Sequence, residues 1–537
     1  MSKRLGDRSL VCFVFAAWLG SGAGCGGGAA KEQAAGPVAS GAGAEGAAPI
    51  VARSTVNAGS AARAPAAPGT SAAPGAPPTA AAPAANAPAA GAPQTGVPAA
   101  PNMAPSATMQ PQAAPEGPCT NCWKYMSHSP VSHWVNPDEK KLSTANVSTL
   151  TQAWMFTMAG SATGTAAVVN GVVYAPSMGQ LAAFEAQTGV MKWTSPQNIP
   201  GSVSYDEGKL YVQNAGGVVL QLDAATGAPG WQAPVGSFGG FGTPLPVGNK
   251  VLVGASSGEE NLVAENAMFR GKAVALDKAT GKVLWEHYTA MPPSSGAAIW
   301  SSPSVDLEAK MAFFTTGNNY TGMAGDESDS MIALDLETGM LLWKYQALAN
   351  DVYTTVNRGP GPDLDFGTNP ILFEAGGKKL VGAGQKSGQF WALDRMTGQV
   401  VWMHQVAGGC GIGGVFNNGA FDGKNILVSS WACAGASTLK ALDAATGNPV
   451  WTQTLPAQSW APITVANGVG FVPSQNTLNA FDVATGKMLF STMVAGSISS
   501  GAVVVDGFVY FGSGVPPLAG SFGGPIDDKV FHALKLP

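Results

Sequence analysis

Charge is scarce in this chain: across 537 residues, 28 Lys and Arg stand against 33 Asp and Glu. A near-neutral, slightly acidic surface has no broad basic face, which argues against nucleic acid as a partner. Histidine is rarer still, with five in all. None sits in a nucleophile motif, so a hydrolase triad has no support. Cysteine numbers six. The motif "CTNCW" cannot attach haem, because Trp123 stands where the required His would be. Zinc held by Cys119, Cys122, His128 and His133 would need a spacing that fits no common finger. Beyond the first residues, no apolar stretch is long enough to span a bilayer.

What is present falls into three regions. Residues 1–25, "MSKRLGDRSLVCFVFAAWLGSGAGC", run from Lys3, Arg4 and Arg8 through an apolar stretch to small residues, which is an export signal. Ending on "GAGC", it resembles a bacterial lipoprotein signal, although Gly22 stands where Leu is usual. The resemblance implies Cys25 as the lipidated residue. It also implies a bacterial envelope protein, tied to a membrane only through that lipid, with its folded body in the periplasm or at the cell surface. Residues 26–115 are almost wholly Ala, Pro, Gly, Ser and Thr, too poor in large apolar side chains to bury a core. They read as a disordered, semi-extended linker. Residues 116–537 carry the folded region. In an oxidising envelope Cys119, Cys122, Cys410 and Cys433 allow three pairings. Cys410 with Cys433, which flank one hairpin, and Cys119 with Cys122 is the favoured set.

The folded region repeats. "AFEAQTGVMKW", "QLDAATGAPGW", "ALDKATGKVLW", "ALDLETGMLLW", "ALDRMTGQVVW", "ALDAATGNPVW" and "AFDVATGKMLF" share an apolar residue, an acid, a Thr-Gly turn and a strand opening on Trp or Phe. The acid bonds its own backbone in the turn, Gly takes the φ > 0 position, and the indole wedges between neighbouring units. Trp154 precedes the seven at similar spacing and makes eight. Hairpins such as "VVNGVVYAP" and "VVDGFVYFG" also number eight. The final "KVFHALKLP" supplies a strand with no Thr-Gly after it, which a closed ring explains if that strand completes the blade begun near Trp154. The expected fold is all-β, an eight-bladed β-propeller with about four strands per blade.

The tryptophan pattern resembles that of the pyrroloquinoline quinone (PQQ) repeat family, over Cys122 to Pro537. "LSTANVSTLTQAWMFTMAGSA" is similar to the opening strand of quinoprotein alcohol dehydrogenases, with the polyvinyl-alcohol-dehydrogenase-like branch the nearest fit. Non-enzymatic outer-membrane assembly lipoproteins share the repeat, so fold alone leaves activity open. Tryptophan intervals are 39 and 38 residues up to Trp231, then 54, 58 and 59 up to Trp285, Trp343 and Trp402. The longer blades suggest loops built over one end of the ring. They hold "VGASSGEENLV", "AAIWSSPSVD", "TTGNNYTG", "PDLDFGTNP" and "GAGQKSGQFW".

A hard divalent cation takes oxygen ligands such as Glu and Asn supply, and a planar anionic quinone takes an aromatic platform and a cation. Carried over residue by residue, the resemblance implies Glu259, Asn318 and Asp365 as metal ligands, Trp300 as the stacking base, Lys386 at the quinone oxygens and Asp365 as general base. Ser256 and Thr243 complete the cofactor-binding candidates. The implied cofactors are PQQ and Ca2+, because Gly367 stands where lanthanide-using relatives carry a further Asp. The implied activity is oxidation of an alcohol, small or polymeric, with electrons passed to a separate acceptor such as a cytochrome c. Each residue alone has a structural reading: Asp365 capping a turn, Glu259 and Glu260 as a solvated pair, Trp300 as core. Two departures stand out, namely the missing adjacent Cys-Cys pair and the absence of arginines in the early blades. The alternative is a non-catalytic outer-membrane scaffold lipoprotein.

Overall fold

The computed structural model describes residues 119–239, 241–357, 359, 361–411, 413–432, 436–515 and 527–537. These lie in a compact unit, Ser106–Pro537. The signal, the linker, Cys25 and Cys433 fall outside the described residues. Strands dominate, and no helix among the described residues is long and apolar enough to cross a membrane.

Seven sheets follow one plan, four antiparallel strands in sequence order, and the seventh gains Val135–Asn136 as a parallel fifth strand. They are blade 1 (167–195), blade 2 (204–234), blade 3 (245–288), blade 4 (304–346), blade 5 (371–405), blade 6 (420–454) and blade 7 (464–493). Blade 8 takes three strands from 503–535 and its fourth from Thr151–Thr157. That strand lies antiparallel to Val530–Lys535, with Trp154 opposite Ala533. The ring is therefore closed by the two ends of the repeat region, as the unpaired final strand required.

The repeat signature explains how blades adhere. In blade 4, Asp335 accepts the Thr338 N–H and hydroxyl, both at 2.8 Å, fixing the turn. Trp343 then reaches blade 5 and donates its indole N–H to the Arg395 carbonyl at 2.9 Å. Its ring lies against Gly398, where a Cβ would come within 2.6 Å and φ is +72°, so only glycine serves both demands. Trp154, Trp193, Trp231, Trp285, Trp402 and Trp451 each donate to the next blade in the same way.

Nearer the axis, a second repeat emerges that carries no fixed residue type. Just before the innermost strand, the N–H of Thr165 is accepted by Ser202 Oγ, that of Ser202 by Thr243 Oγ1 and that of Thr243 by Ser302 Oγ. Ser302 passes to Asn369 Oδ1, Asn369 to Asn418 Oδ1, and Gly501 back to Thr165 Oγ1. The relay breaks only at Pro462, which has no N–H to give.

Three residues further on, the inner strands meet the segment 123–136, which threads the channel. Inner N–H groups of Val168, Tyr205, Val305, Leu372, Phe421 and Val465 bond to the carbonyls of Trp123, Lys124, Pro130, Val131, His133 and Trp134. Blade 3 has Pro246 at this register, and blade 8 instead receives the Asn136 amide on the Val504 carbonyl. Met126 Sδ accepts from Ser302 Oγ at 3.2 Å and Thr243 Oγ1 at 3.4 Å, so the segment also reaches the relay. Cys119 and Cys122 are bonded to each other at its start. Cys410 is also disulfide-bonded.

Candidate active site

The long blades raise their extra residues at one end of the ring, where second strands finish and first strands begin. Asn318 follows Met311–Thr315, Lys386 follows Lys378–Gly384, and Glu259 opens a short 3-10 turn after Lys250–Ala255. Trp300 precedes Ser304–Asp306 and Asp365 precedes Ile371–Ala375. Loops from blades 3, 4 and 5 then clasp one another. The Thr355 N–H donates to the Glu260 carbonyl at 2.9 Å, and the Tyr353 N–H to the Asn319 carbonyl at 2.9 Å.

Asp365 is the centre of the arrangement and is buried. Its Oδ1 accepts the Asn318 N–H at 2.7 Å and its Oδ2 pairs with Lys386 Nζ at 2.8 Å. Lys386 Nζ also meets Asp363 Oδ1 at 2.5 Å and stands 5.8 Å from the Trp300 ring. Two more carboxylates come close. Asp351 accepts the N–H groups of Asp363 and Leu364, and Glu260 interacts electrostatically with Lys386, Asp365 and Asp351. Asn318 gives its amide NH2 to the carbonyls of Asn319 at 2.7 Å and Tyr353 at 2.9 Å. That fixes the amide so that Oδ1 faces away from those carbonyls and can serve a cation.

Burial sets the protonation pattern. Loss of solvent pushes Asp363 up to about 9, with Lys386 opposing and Asp365 and Glu260 reinforcing. Glu260 is pushed up to about 7 for the same reason, again against Lys386. Burial works against the charge on Lys386, yet Asp365, Asp363 and Glu260 outweigh it and hold the amine well above its ordinary range. Asp329 is the extreme case. It is wholly buried, neither carboxylate oxygen has a hydrogen-bond partner among the described residues, and its φ is +48°. Burial, then Asp365 and Asp351, raise its carboxyl well above the usual range. Among the described residues, five carboxylates thus lie around one ammonium.

Not every candidate joins this cluster. Glu259 Oε2 accepts the N–H groups of Met268 and Phe269, both at 2.6 Å, and so closes its own loop, whereas the adjacent Glu260 interacts with the centre. Ser256 Oγ donates to the Phe238 carbonyl at 2.8 Å, and Thr243 belongs to the polar relay. Both serve the propeller's own backbone. An open cleft of about 450 Å3 lies beside blade 3, lined by Glu259, Met268, Phe269, Arg270 and Tyr288 among others, and includes neither Asp365 nor Lys386. Among the described residues no three His, Cys, Asp or Glu side chains converge to hold a metal unaided. A cation here would need the Asn318 amide oxygen and further donors.

Comparison with known proteins bears on the family and the fold. The family profile PQQ_2, described as outer membrane protein assembly factor BamB, matches residues 140–320, 289–411 and 386–515. The polyvinylalcohol dehydrogenase of Sphingopyxis sp. (strain 113P3) is 29% identical over 464 residues, which cover 71% of this chain and 71% of the relative. That of Pseudomonas sp is 29% identical over 446 residues, covering 71% of this chain and 69% of the relative. Among solved structures, the quinohemoprotein alcohol dehydrogenase from Comamonas testosteroni aligns with a TM-score of 0.65 at 19% identity, over 78% of this chain and 80% of that one.

Proposed function

Because the chain belongs to the PQQ_2 repeat family, we propose that it is a PQQ-dependent quinoprotein dehydrogenase that oxidises an alcohol and passes electrons to a separate acceptor. The observation that carries this reading is Asp365, buried between the Asn318 N–H and the Lys386 ammonium beside Trp300. A scaffold has no need of a buried acid, a buried amine and an aromatic platform brought together.

The residues fit the cofactor. Trp300 offers a flat face, Lys386 a cation for quinone oxygens, and Asn318 Oδ1, Asp365 and Glu260 hard oxygen donors for a divalent ion. Glu260, rather than the Glu259 expected from sequence, is the acid interacting with the cluster. Calcium is favoured. A Cβ at Gly367 would come within 2.5 Å of Phe416 and 2.9 Å of Trp300, which leaves no space for the further Asp of lanthanide-using relatives. A quinone bound here would supply the hydride acceptor, and a divalent ion held by these oxygens would supply Lewis acidity. Asp365 takes the alcohol proton. Each of its oxygens has one lone-pair site used, by Asn318 and by Lys386, and one remaining. Lys386 and the Asn318 N–H fix that carboxylate in place.

Polymeric or secondary alcohols are the proposed substrates, on the likeness to relatives named polyvinylalcohol dehydrogenase. A cytochrome c is the proposed acceptor. The proposed location is the cell envelope, with lipid on Cys25. A second reading, an envelope assembly scaffold, is favoured by the description of the matching family. Adding PQQ and CaCl2 to purified protein and recording the visible spectrum and dye-linked alcohol oxidation separates the two. A bound-quinone spectrum with turnover is expected, and neither spectrum nor turnover at micromolar cofactor would leave the scaffold.

A further inference from the structure

The polar relay defines a register, and two residues before each of its members the blades present another ring. On blades 8, 1 and 2 that position is Ser499, Thr163 and Pro200. On blades 3, 4, 6 and 7 it is aromatic, Phe241, Trp300, Phe416 and Trp460, with Gly367 on blade 5. Trp300 is thus one member of a series. Phe241 meets it edge-on with ring centroids 5.7 Å apart. Gly367 lets Phe416 approach from the other side, since a Cβ there would collide with the Phe416 Cβ and with the Trp300 ring. Trp431 joins Phe416 at 5.8 Å to Trp460 at 4.8 Å, and the Trp460 indole N–H is anchored on the Ile498 carbonyl at 3.2 Å. Phe241, Trp300, Phe416 and Trp460 all remain half-buried, so the rings are not closed into the core. Opposite this arc, the Thr163 hydroxyl is used on the Pro200 carbonyl, while Ser499 Oγ is buried with no partner among the described residues.

Resting on the function proposed above, we infer that the arc of Phe241, Trp300, Phe416 and Trp460 frames the planar cofactor, with Trp300 beneath it and the other rings around it, and that the Ser499 side takes its carboxylate edge. A tricyclic ring system is larger than one indole, and aromatic faces and edges arranged around it hold it laterally as well as from beneath. The cofactor's carboxylates need hydrogen-bond donors, and the early blades have none of the arginines that could supply them. The unpartnered Ser499 hydroxyl is a donor on the side away from the arc.

Hydroxyl-radical footprinting of the wild-type protein, read by mass spectrometry with and without PQQ and CaCl2, tests this without mutation. Phe416 and Trp460 should be protected by PQQ, and the exposed Met155 should not. Calorimetric titration with PQQ should then show about 2- to 10-fold weaker binding for Trp460→Leu and for Phe416→Leu, and at least about 5-fold weaker for Ser499→Ala, with thermal midpoints unchanged. PQQ binding without protection of Phe416 and Trp460 would overturn the arc while leaving the dehydrogenase reading intact. So would unaltered PQQ affinity in the variants with a changed KM for alcohol, which would assign the arc to substrate. No PQQ binding by wild type would remove both.

Discussion

Replacing Asp329 with Asn exchanges one buried oxygen for an NH2 group at nearly constant volume, and removes an ionisable group whose oxygens have no hydrogen-bond partner among the described residues. Burial and the neighbouring Asp365 and Asp351 raise this carboxyl well above the usual range. A carboxyl raised in the folded state keeps its proton there while the unfolded chain, titrating near 4, loses it. Its contribution is therefore fully present below the unfolded pKa and is lost as pH rises toward the folded one. While Asp329 stays protonated, this one group lowers stability by about 1.4 kcal/mol per pH unit above about 4. The Asn side chain has no such slope. Its unpartnered amide costs about 1–3 kcal/mol, but equally at every pH. The assay is urea unfolding of wild type and Asp329→Asn at pH 5, 6, 7 and 8, with EDTA and without cofactor. The variant should gain on wild type as pH rises, by about 1 kcal/mol per unit over the part of this range in which the folded carboxyl keeps its proton. Asp363, Glu260 and Asp351 titrate in both proteins and cancel in the difference. Parallel stability curves would refute the argument and mean that a cation or water already satisfies the carboxylate.

The other predictions concern chemistry, closure and anchoring. Asp365→Asn should bind PQQ and calcium while turnover falls about 10²- to 10⁴-fold, and Asn318→Ala should instead weaken calcium binding, seen by titration. Normal turnover in Asp365→Asn would move the base to Asp363 or Asp351. Deleting residues 529–537 removes the strand paired with Thr151–Thr157. Loss of a cooperative melt and aggregation from the open edge should follow, and an unchanged melting curve would contradict the closure. Cys25→Ser should release a folded protein into the soluble envelope fraction, and a variant that stays membrane-bound would rule out the lipid anchor.

The blade number and the ring closure were legible in the chain because Asp, Thr-Gly and Trp recur at one fixed offset, the first two to build the turn and the Trp to bond the next blade. Asp365, Lys386, Trp300 and Asn318 stood out as polar or aromatic residues at strand ends in the longest blades. The acid that interacts with the centre is Glu260, next in sequence to the expected Glu259. Glu259 and Glu260 share a single 3-10 turn, where neighbouring side chains point in very different directions, and only the tertiary fold decides which looks inward. Asp329 gave no signal, since an acid just ahead of a strand reads as an ordinary turn residue. The polar relay and the aromatic arc were invisible for another reason. Their members sit one per blade, 37 residues apart for Thr165 and Ser202 but 67 for Ser302 and Asn369, and differ in type, so no window of sequence contains the pattern.

The segment threaded through the channel bears on how such a ring evolves. Propellers whose blades touch only their neighbours can gain or lose a unit by duplication or deletion, because every junction is alike. Here the inner strands of six blades hang on successive carbonyls of one short stretch, and the two remaining positions are matched individually by Pro246 and by the Asn136 amide. An added blade would bring an inner N–H with no carbonyl waiting for it, and a lost one would leave a carbonyl without its backbone donor. Recombination among these near-identical repeats is therefore checked by a dozen residues lying outside them, which lock the lineage at eight.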